Sequence, residues 1–531
     1  MMGPPSAGGI TAESRRVASN DEPGVSHVRN RRARGGLDTG RLSVVPGPLD
    51  SYGAAMNNQN RSLSARPNRL VPRSCSAFRG RVGGSRWLAA VLAVALAAVG
   101  CCTDPVTGDS YFCLGDLSDA EEAALGANYA PNFIAESGGI YPDPELHDYL
   151  SEIVIDKMAL QSHRPDLPWE FHILNTSQIN AFALPGGQVF VTRGLLARLE
   201  SEAQFAHLMG HEIGHVSHRH SMRGQGRQLL FALLLGVVSQ VEGEVGDSEF
   251  PIATAALGVA GQLTLLHYSR EQELESDARG VDYALQAGYQ PAEGKKTFEL
   301  FLELKQASGR TPGLIEGLLS THPLDSTRIE QIDDYIDDEY PASRRQNLTV
   351  SRPRWETLIA RVRAAQDSYD EYDRAAELIA QHQRGEGGSS ALSEAREMLQ
   401  RGQRRLPDHA AFSLGLAFVE VEDGETRRAM RALDRAVQLD PDLYGARLLR
   451  GKVQLDLGRA AMAMGDLEAA RDLFPFSPQP RLYLGEAAEL LGQTAAAIES
   501  YRAALERSAE GTEVHRRASE RLAALQGASA A

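Results

Sequence analysis

Cysteine is nearly absent from this 531-residue chain: it has four, and none follows Cys113. Disulfides and thiolate metal sites are therefore excluded from the long C-terminal part. Lysine is almost as scarce, because only five of the 55 basic residues are lysine. The sequence also has no uninterrupted apolar run of the roughly 20 residues that a membrane-spanning helix needs.

The charge is unevenly distributed along the chain. The formal net charge is −15, but residues 1–100 are net basic, with 14 Arg and five acidic residues, and the rest is strongly acidic. Phosphate binding requires clustered Lys and Arg, so the acidic body argues against nucleic acid as a partner. A hydrophobic content of 42% is ample for globular cores.

The N-terminal region has the features of a targeting segment. Residues 1–80 are rich in Arg, Gly, Ser and Pro and lack periodicity, which predicts a disordered extension or a misassigned start. Residues 81–100 carry an apolar run after a basic stretch, as a signal peptide does. A short buried helix is the alternative.

The end of that run, AVGC at residues 98–101, resembles a bacterial lipobox, in which a small residue precedes the cysteine that is lipidated. The resemblance implies a lipid anchor on Cys101 and a periplasm-facing protein, held at the outer membrane. A plain secretory signal is the competing interpretation.

A metal-binding pattern lies in the predicted helix that begins near Glu202. Its sequence HEIGH places His211 and His215 one helical turn apart on one face. Two imidazoles so spaced can bind one zinc ion, and Glu212 can reach a water on that metal. The pattern needs a third ligand.

Residues 268–277, with the sequence YSREQELESD, supply several carboxylates for it. Here the chain resembles the HtpX, BepA and CaaX prenyl endopeptidase family of gluzincins. In that family a helix that begins Ser-Arg carries a zinc-binding Glu four residues after the Ser and an Asp four residues further on. The resemblance implies Glu273 as the third ligand and Asp277 as a residue that orients a ligand histidine. A solvated charge run is the alternative.

Two further segments resemble elements of the same family. The stretch 180–194 alternates as a strand does, and the resemblance implies a sheet edge that pairs with extended substrate. The sequence THP, with an Arg six residues after the His, resembles a second active-site element of the family. The resemblance implies that His322 either stabilises the oxyanion or caps the metal, supported by Arg328. The substrate-binding candidates of the first segment are Asn180, Gly187, Gln188, Val189 and Phe190.

A period of 34 residues marks the C-terminal region. Pro407, Pro441 and Pro475 repeat at that interval, and so do columns of glycine, alanine and large apolar residues. The pattern resembles the tetratricopeptide repeat, which stacks helix pairs into a solenoid with a concave groove. The groove is predicted to dock substrates or outer-membrane assembly machinery; a packing platform is the alternative.

Together these observations predict a mainly α (α+β) fold: a zincin-type peptidase with a small sheet, then an α-solenoid. The predicted domains are a peptidase over 101–345, linker helices over 346–383 and tetratricopeptide repeats over 384–525. The predicted function is a zinc endopeptidase, with one Zn²⁺ per chain, acting on misfolded or stalled envelope proteins. Glu212 would serve as its general base.

Two other functions compete with that prediction. One is a repeat-based envelope chaperone or scaffold whose zinc site is latched or non-catalytic. The other is a prenyl-peptide protease, an activity that family members house in several membrane spans. The apolar stretches 229–238 and 252–267 are too short or too diluted for such spans and are interpreted as core or lid helices.

Overall fold

The computed structural model describes residues 99–114, 117–223, 268–307, 315–324, 326–386 and 388–530. Several predicted segments lie wholly or almost wholly outside the described residues: the extension 1–80, the signal peptide 81–100, and the apolar stretches 229–238 and 252–267. Within the described ranges, no helix is long and apolar enough to cross a membrane.

The peptidase region begins with a two-stranded antiparallel hairpin and continues with mixed helix and strand. Its strands are β1 Val99–Thr103, β2 Ser110–Leu114, β3 Glu170–Leu174, β4 Ala181–Leu184 and β5 Gln188–Thr192. Its helices are α1 Asp119–Glu136, α2 Pro144–Ser151, α3 Arg193–Leu196, α4 Glu202–Ser217, α5 Arg270–Gln286, α6 Ala292–Ala307, α7 Glu316–Thr321 and α8 Ser326–Glu339. Short π- and 3₁₀-helical turns lie at Glu152–Asp156, Ala159–Gln161 and His220–Met222.

Strands β3, β5 and β4 form a sheet in that order, with β3 parallel and β4 antiparallel to the central β5. Every residue of β4 and β5 is buried. Such two-sided burial explains their largely apolar composition. Helix α4 packs against this sheet and, more extensively, against α5.

A long helix, α9 Pro353–Gln383, joins the peptidase region to the repeats and occupies most of the predicted linker. Trp355 near its start is fully buried, with its ring 5.7 Å from that of Phe205 in α4. Near its middle, the Tyr369 hydroxyl forms a 2.7 Å hydrogen bond with the His409 ring at the first repeat. One hydrophobic core runs continuously from the peptidase through α9 into the repeats.

The repeats form antiparallel helix pairs. Their helices are α10 Gly388–Arg405, α11 Ala410–Glu422, α12 Thr426–Leu439, α13 Tyr444–Asp456, α14 Ala460–Leu473, α15 Gln479–Leu490, α16 Thr494–Leu505 and α17 Glu513–Ala530. The repeating columns have zero exposure: Ala429, Ala463 and Ala497; Leu433, Leu467 and Tyr501; Ala436, Ala470 and Ala504. The mainly α fold with a small sheet and a helical solenoid is thus confirmed. The domain boundaries stay a prediction.

The glycines of the repeat end the first helix of each pair. Gly424, Gly458 and Gly492 all have φ between 71° and 73°. A left-handed residue just past a helix is the conformation that glycine adopts without a steric penalty. These glycines therefore set the turn that lets the second helix of each pair fold back on the first.

Candidate metal centre

The two histidines of the HEIGH pattern converge as the helical spacing requires. Ser201 caps helix α4 by accepting a hydrogen bond from the backbone N–H of Gln204. Further along the helix, the Nε2 atoms of His211 and His215 lie 3.0 Å apart. Both side chains are buried. The ring nitrogens face one point rather than solvent, which is the arrangement that a shared cation needs.

Glu273 enters from helix α5, which begins at a capping box between Ser269 and Gln272. Its carboxylate oxygens lie 3.7 Å from His211 Nε2 and 3.5 Å from His215 Nε2. The structure therefore brings the carboxylate that the family resemblance implied to the two imidazoles.

Two other glutamates of the same helix, Glu271 and Glu275, lie elsewhere. Glu275 forms a 2.8 Å contact with His220 Nε2, and Glu271 is exposed. Neither reaches the point at which the His211 and His215 nitrogens meet.

His322 completes this cluster from the loop that follows α7. Its Nδ1 atom lies 3.0 Å from Glu273 Oε1 and 3.4 Å from His211 Nε2. One ligand atom from each of the four residues falls within 4.8 Å of all the others. His322 thus occupies a position where it could act as a fourth ligand or as a donor beside the metal.

Arg328, on α8, holds two acidic residues of α5, Asp277 and Glu273. It donates to both oxygens of Asp277 at 2.8 and 2.6 Å, and its Nη1 atom lies 2.6 Å from Glu273 Oε2. Burial alone would raise the pKa of the Glu273 carboxyl, but His322 and Arg328 hold that pKa well below its usual value. The Glu273 carboxylate is consequently ionised.

Glu212 differs from the other acidic groups of the site. It is fully buried, and neither carboxylate oxygen has a hydrogen-bond partner among the described residues. His322 Nε2 lies 3.5 Å from its Oε1 atom, and burial raises the pKa of the Glu212 carboxyl. A buried carboxylate without a hydrogen bond is costly, so a water molecule or a substrate amide that donates to Glu212 would stabilise it.

Each ligand histidine is oriented through its other ring nitrogen. His211 Nδ1 lies 2.8 Å from Asp277 Oδ1, and His215 Nδ1 lies 2.9 Å from His220 Nδ1. The Tyr268 ring stacks on His215 with centroids 3.8 Å apart. Neither His220 nor Tyr268 was predicted from the sequence as part of the site, since no spacing rule connects them to His215.

These residues fit a zinc ion. Two imidazole nitrogens and one carboxylate oxygen are donors that catalytic zinc takes, and a fourth position is left for water or another group. Because Asp277 and His220 contact the Nδ1 atoms of His211 and His215, the Nε2 atoms of both rings point towards Glu273 and towards each other. The unpartnered oxygens of Glu212 supply the feature that a purely structural site would not need.

The expectation that Gln188, Val189 and Phe190 form a sheet edge is wrong. Strand β5 lies between β3 and β4, so its backbone groups pair on both sides and cannot accept a substrate strand. One edge of this described sheet is β4. Gly187 has φ +100° and packs against the ring of Trp169.

Asn180, which immediately precedes β4, lies at that edge and is fully buried. Neither its Oδ1 nor its Nδ2 atom has a partner among the described residues. Asn180 thus lies next to the edge strand β4, and its role in substrate binding stays a prediction. The alternation of residues 188–192 identified a strand correctly but carried no information about its neighbours.

The metal cluster depends on a close approach between α4 and α5. A Cβ atom on Gly280 would lie 3.0 Å from the backbone oxygen of His207 and 3.1 Å from the backbone nitrogen of His211. Gly280→Leu is therefore expected to push the helices apart, at a cost of about 1–3 kcal/mol in the free energy of unfolding, and to weaken zinc binding. Thermal unfolding and metal titration would measure the two effects.

The matched control is Gly465→Leu, because a Cβ atom at that exposed helical position meets nothing within 4 Å. Unchanged zinc affinity in the Gly280 variant would show that the distance between the helices does not set the ligand geometry.

The comparisons with known proteins agree with this architecture. Residues 144–336 match Peptidase family M48. Residues 386–444, 419–478 and 448–512 match the tetratricopeptide repeat. The chain therefore carries a family M48 metallopeptidase domain followed by tetratricopeptide repeats.

Two curated relatives illustrate the match. The β-barrel assembly-enhancing protease of Escherichia coli K12 is 26% identical over 367 residues, which cover 67% of this chain and 68% of that protein. The mitochondrial metalloendopeptidase OMA1 of Arabidopsis thaliana is 33% identical over 165 residues, covering 31% of each chain. The solved structure of a thermophilic TPR protein from Thermus thermophilus is 22% identical, with a TM-score of 0.26, and covers 32% of this chain and 90% of that one.

Proposed function

We propose that this chain is a zinc-dependent endopeptidase that hydrolyses peptide bonds in misfolded or stalled cell-envelope proteins. The observation that carries the proposal is Glu212, a fully buried carboxylate with two unpartnered oxygens, as far as the described residues go, beside the cluster of His211, His215 and Glu273. When bound, zinc supplies Lewis acidity, which polarises a carbonyl and lowers the pKa of water.

The residues that hold the ion come from two helices. His211, His215 and Glu273 would bind one zinc ion per chain, and Asp277 orients His211 through its Nδ1 atom. Arg328 keeps the Glu273 and Asp277 carboxylates ionised.

Two further residues move or donate protons. Glu212 accepts the proton of the attacking water and passes it to the leaving amine. His322, held beside Glu273, donates a hydrogen bond to the developing oxyanion.

The substrate backbone would add to the sheet at β4. An extended peptide can pair with an edge strand through main-chain hydrogen bonds, and β4 is the edge strand that contacts α4. The Asn180 side chain, unpartnered within the described residues, would bind the substrate backbone at one end of that strand.

The repeats would recruit the proteins on which the peptidase acts. Stacked tetratricopeptide repeats expose an extended groove suited to polypeptides. The name of the Escherichia coli relative, a β-barrel assembly-enhancing protease, supports the outer-membrane assembly machinery as a partner. A periplasm-facing location with a lipid anchor on Cys101 belongs to the same proposal, as do the boundaries 101–345, 346–383 and 384–525.

A direct test is removal and return of the metal. The purified chain is expected to bind one equivalent of zinc, to lose cleavage of unfolded casein on treatment with a chelator, and to regain it when zinc is restored. The reason is that both the polarised carbonyl and the acidified water depend on the ion. Casein cleavage that survives complete removal of zinc would contradict the proposal.

The scaffold alternative is favoured by one observation. His322 Nδ1 lies 3.0 Å from Glu273 and within the same cluster as the other ligand atoms, and four protein ligands leave no open position for water. In that case the chain would bind unfolded proteins through its repeats without cleaving them. Binding with no cleavage by the zinc-loaded protein would support this function instead.

A further inference from the structure

A second group of buried polar side chains lies beside the metal cluster and is anchored by the N-terminal hairpin β1–β2. Asp104, in the turn after β1, is only 2% exposed. Its Oδ1 atom accepts a 2.7 Å hydrogen bond from the backbone of Val106, and its Oδ2 atom lies 2.8 Å from His218 Nδ1. The hairpin is therefore joined to the residues that directly follow helix α4.

Arg223 connects this hairpin to helix α5. Its guanidinium contacts the Asp104 carboxylate and lies 3.0 Å from Glu275 Oε2. The same guanidinium lies over the ring of Tyr111 in β2, with its Cζ 5.1 Å from the ring centroid. The hairpin thus holds Arg223 with one carboxylate and one aromatic ring.

Glu275 leads from Arg223 to a metal-ligating histidine. Its Oε2 atom lies 2.8 Å from His220 Nε2, and His220 Nδ1 lies 2.9 Å from His215 Nδ1. A His215 that binds metal through Nε2 carries its proton on Nδ1 and donates it. His220 must then accept at Nδ1 and donate from Nε2 to Glu275, which selects one tautomer for each ring.

We propose that the hairpin is a working part of the metal centre: Asp104 and Tyr111 position Arg223, Arg223 positions Glu275, and Glu275 orients His215 through His220. This inference rests on the proposed zinc site. These side chains act as positioning residues, because within the described part of the chain they reach the metal ligands through the contact of His220 with His215. Rigid outer partners reduce the freedom that a ligand loses when it binds metal.

The same residues do not suit a second metal ion. His218, His220 and Glu275 are close enough together to bind one. However, the Arg223 guanidinium already lies against Glu275, and His220 Nδ1 is occupied by His215. A cation there would face a neighbouring positive charge.

The test measures zinc affinity of the full chain by competition with a chromophoric chelator. Glu275→Ala is expected to lower the zinc affinity about 10- to 100-fold. Asp104→Ala, which acts through Arg223, is expected to lower it by at least about threefold. In the Co²⁺-loaded protein both changes are expected to shift the visible absorption bands, because the orientation of His215 changes. The double variant should lose no more affinity than Glu275→Ala alone.

Asp109→Ala is the matched control, because this exposed residue lies in the same hairpin and its described hydrogen bonds are made by its backbone. Asp104→Asn keeps the side-chain shape and serves if the alanine variant fails to fold, as circular dichroism of the metal-free protein would show. If Glu275→Ala and Asp104→Ala had the same zinc affinity and the same cobalt absorption bands as Asp109→Ala, the inference would be overturned. Absence of zinc binding by the unsubstituted chain would instead overturn the proposed function.

Discussion

Glu212→Gln is expected to abolish cleavage of unfolded casein while zinc stays bound. Glutamine has nearly the same shape as glutamate but cannot accept the proton of the attacking water, and loss of a general base costs about 10²- to 10⁴-fold in rate. Glu273 cannot replace it, because His322 and Arg328 already contact its oxygens and hold its pKa well below the usual value, which makes it a weak base. Cleavage rate and zinc content would be measured on the same preparation.

Glu200→Gln provides the control, since this exposed residue lies just before the same helix and outside the cluster. Equal cleavage by the Glu212 variant and the unsubstituted chain would rule out the proposed role of Glu212. If neither cleaves but both bind unfolded protein, the scaffold function gains support.

Arg328→Ala is expected to lower the free energy of unfolding more than the other substitutions proposed for this chain. Arg328 is almost completely buried and contacts two buried carboxylates, those of Asp277 and Glu273. Removing one partner of a buried ion pair leaves uncompensated charge and costs about 3–5 kcal/mol in the free energy of unfolding. Urea unfolding of the metal-free protein would measure the loss.

The loss should be smaller in the zinc-loaded protein, because a cation beside Glu273 replaces part of the missing charge. Arg344→Ala is the control, as Arg344 is exposed and its described hydrogen bond is made by the backbone. An equal loss with and without zinc would show that Arg328 stabilises α8 alone and not the ligand carboxylate.

The parts of the site that helical spacing determines could be predicted from the sequence. His211 and His215 converge because residues four apart share a helix face. Glu273 was implied only by the family resemblance, since no helical spacing connects it to the two histidines. The repeats were equally predictable, since the 34-residue columns became the fully buried positions of the helix pairs. Such periodicity is local to the chain and needs no tertiary information.

The sequence predicted the sheet edge wrongly and did not predict the contacts of His220, Glu275 and Asp104. Both depend on which secondary-structure elements become neighbours in the fold. Alternating residues identified β5 as a strand, but only the folded sheet shows that β4 provides an edge. Likewise, His220 and Glu275 are 55 residues apart, and Asp104 lies 114 residues before His218. A lone histidine or aspartate has no spacing signature, so long-range pairs of this kind cannot be found from one sequence.

The continuous core along α9 has a consequence for how this chain can be divided. Trp355, Ile359 and Tyr369 are buried within a single cluster that reaches from the peptidase sheet to the first repeat. A truncation placed just after residue 345 would remove α9 from the peptidase region and leave the apolar face of α4 that packs on Trp355 in water. Separately expressed halves would therefore be prone to aggregation, and evolutionary exchange of repeat arrays between peptidases would have to carry α9 with one partner.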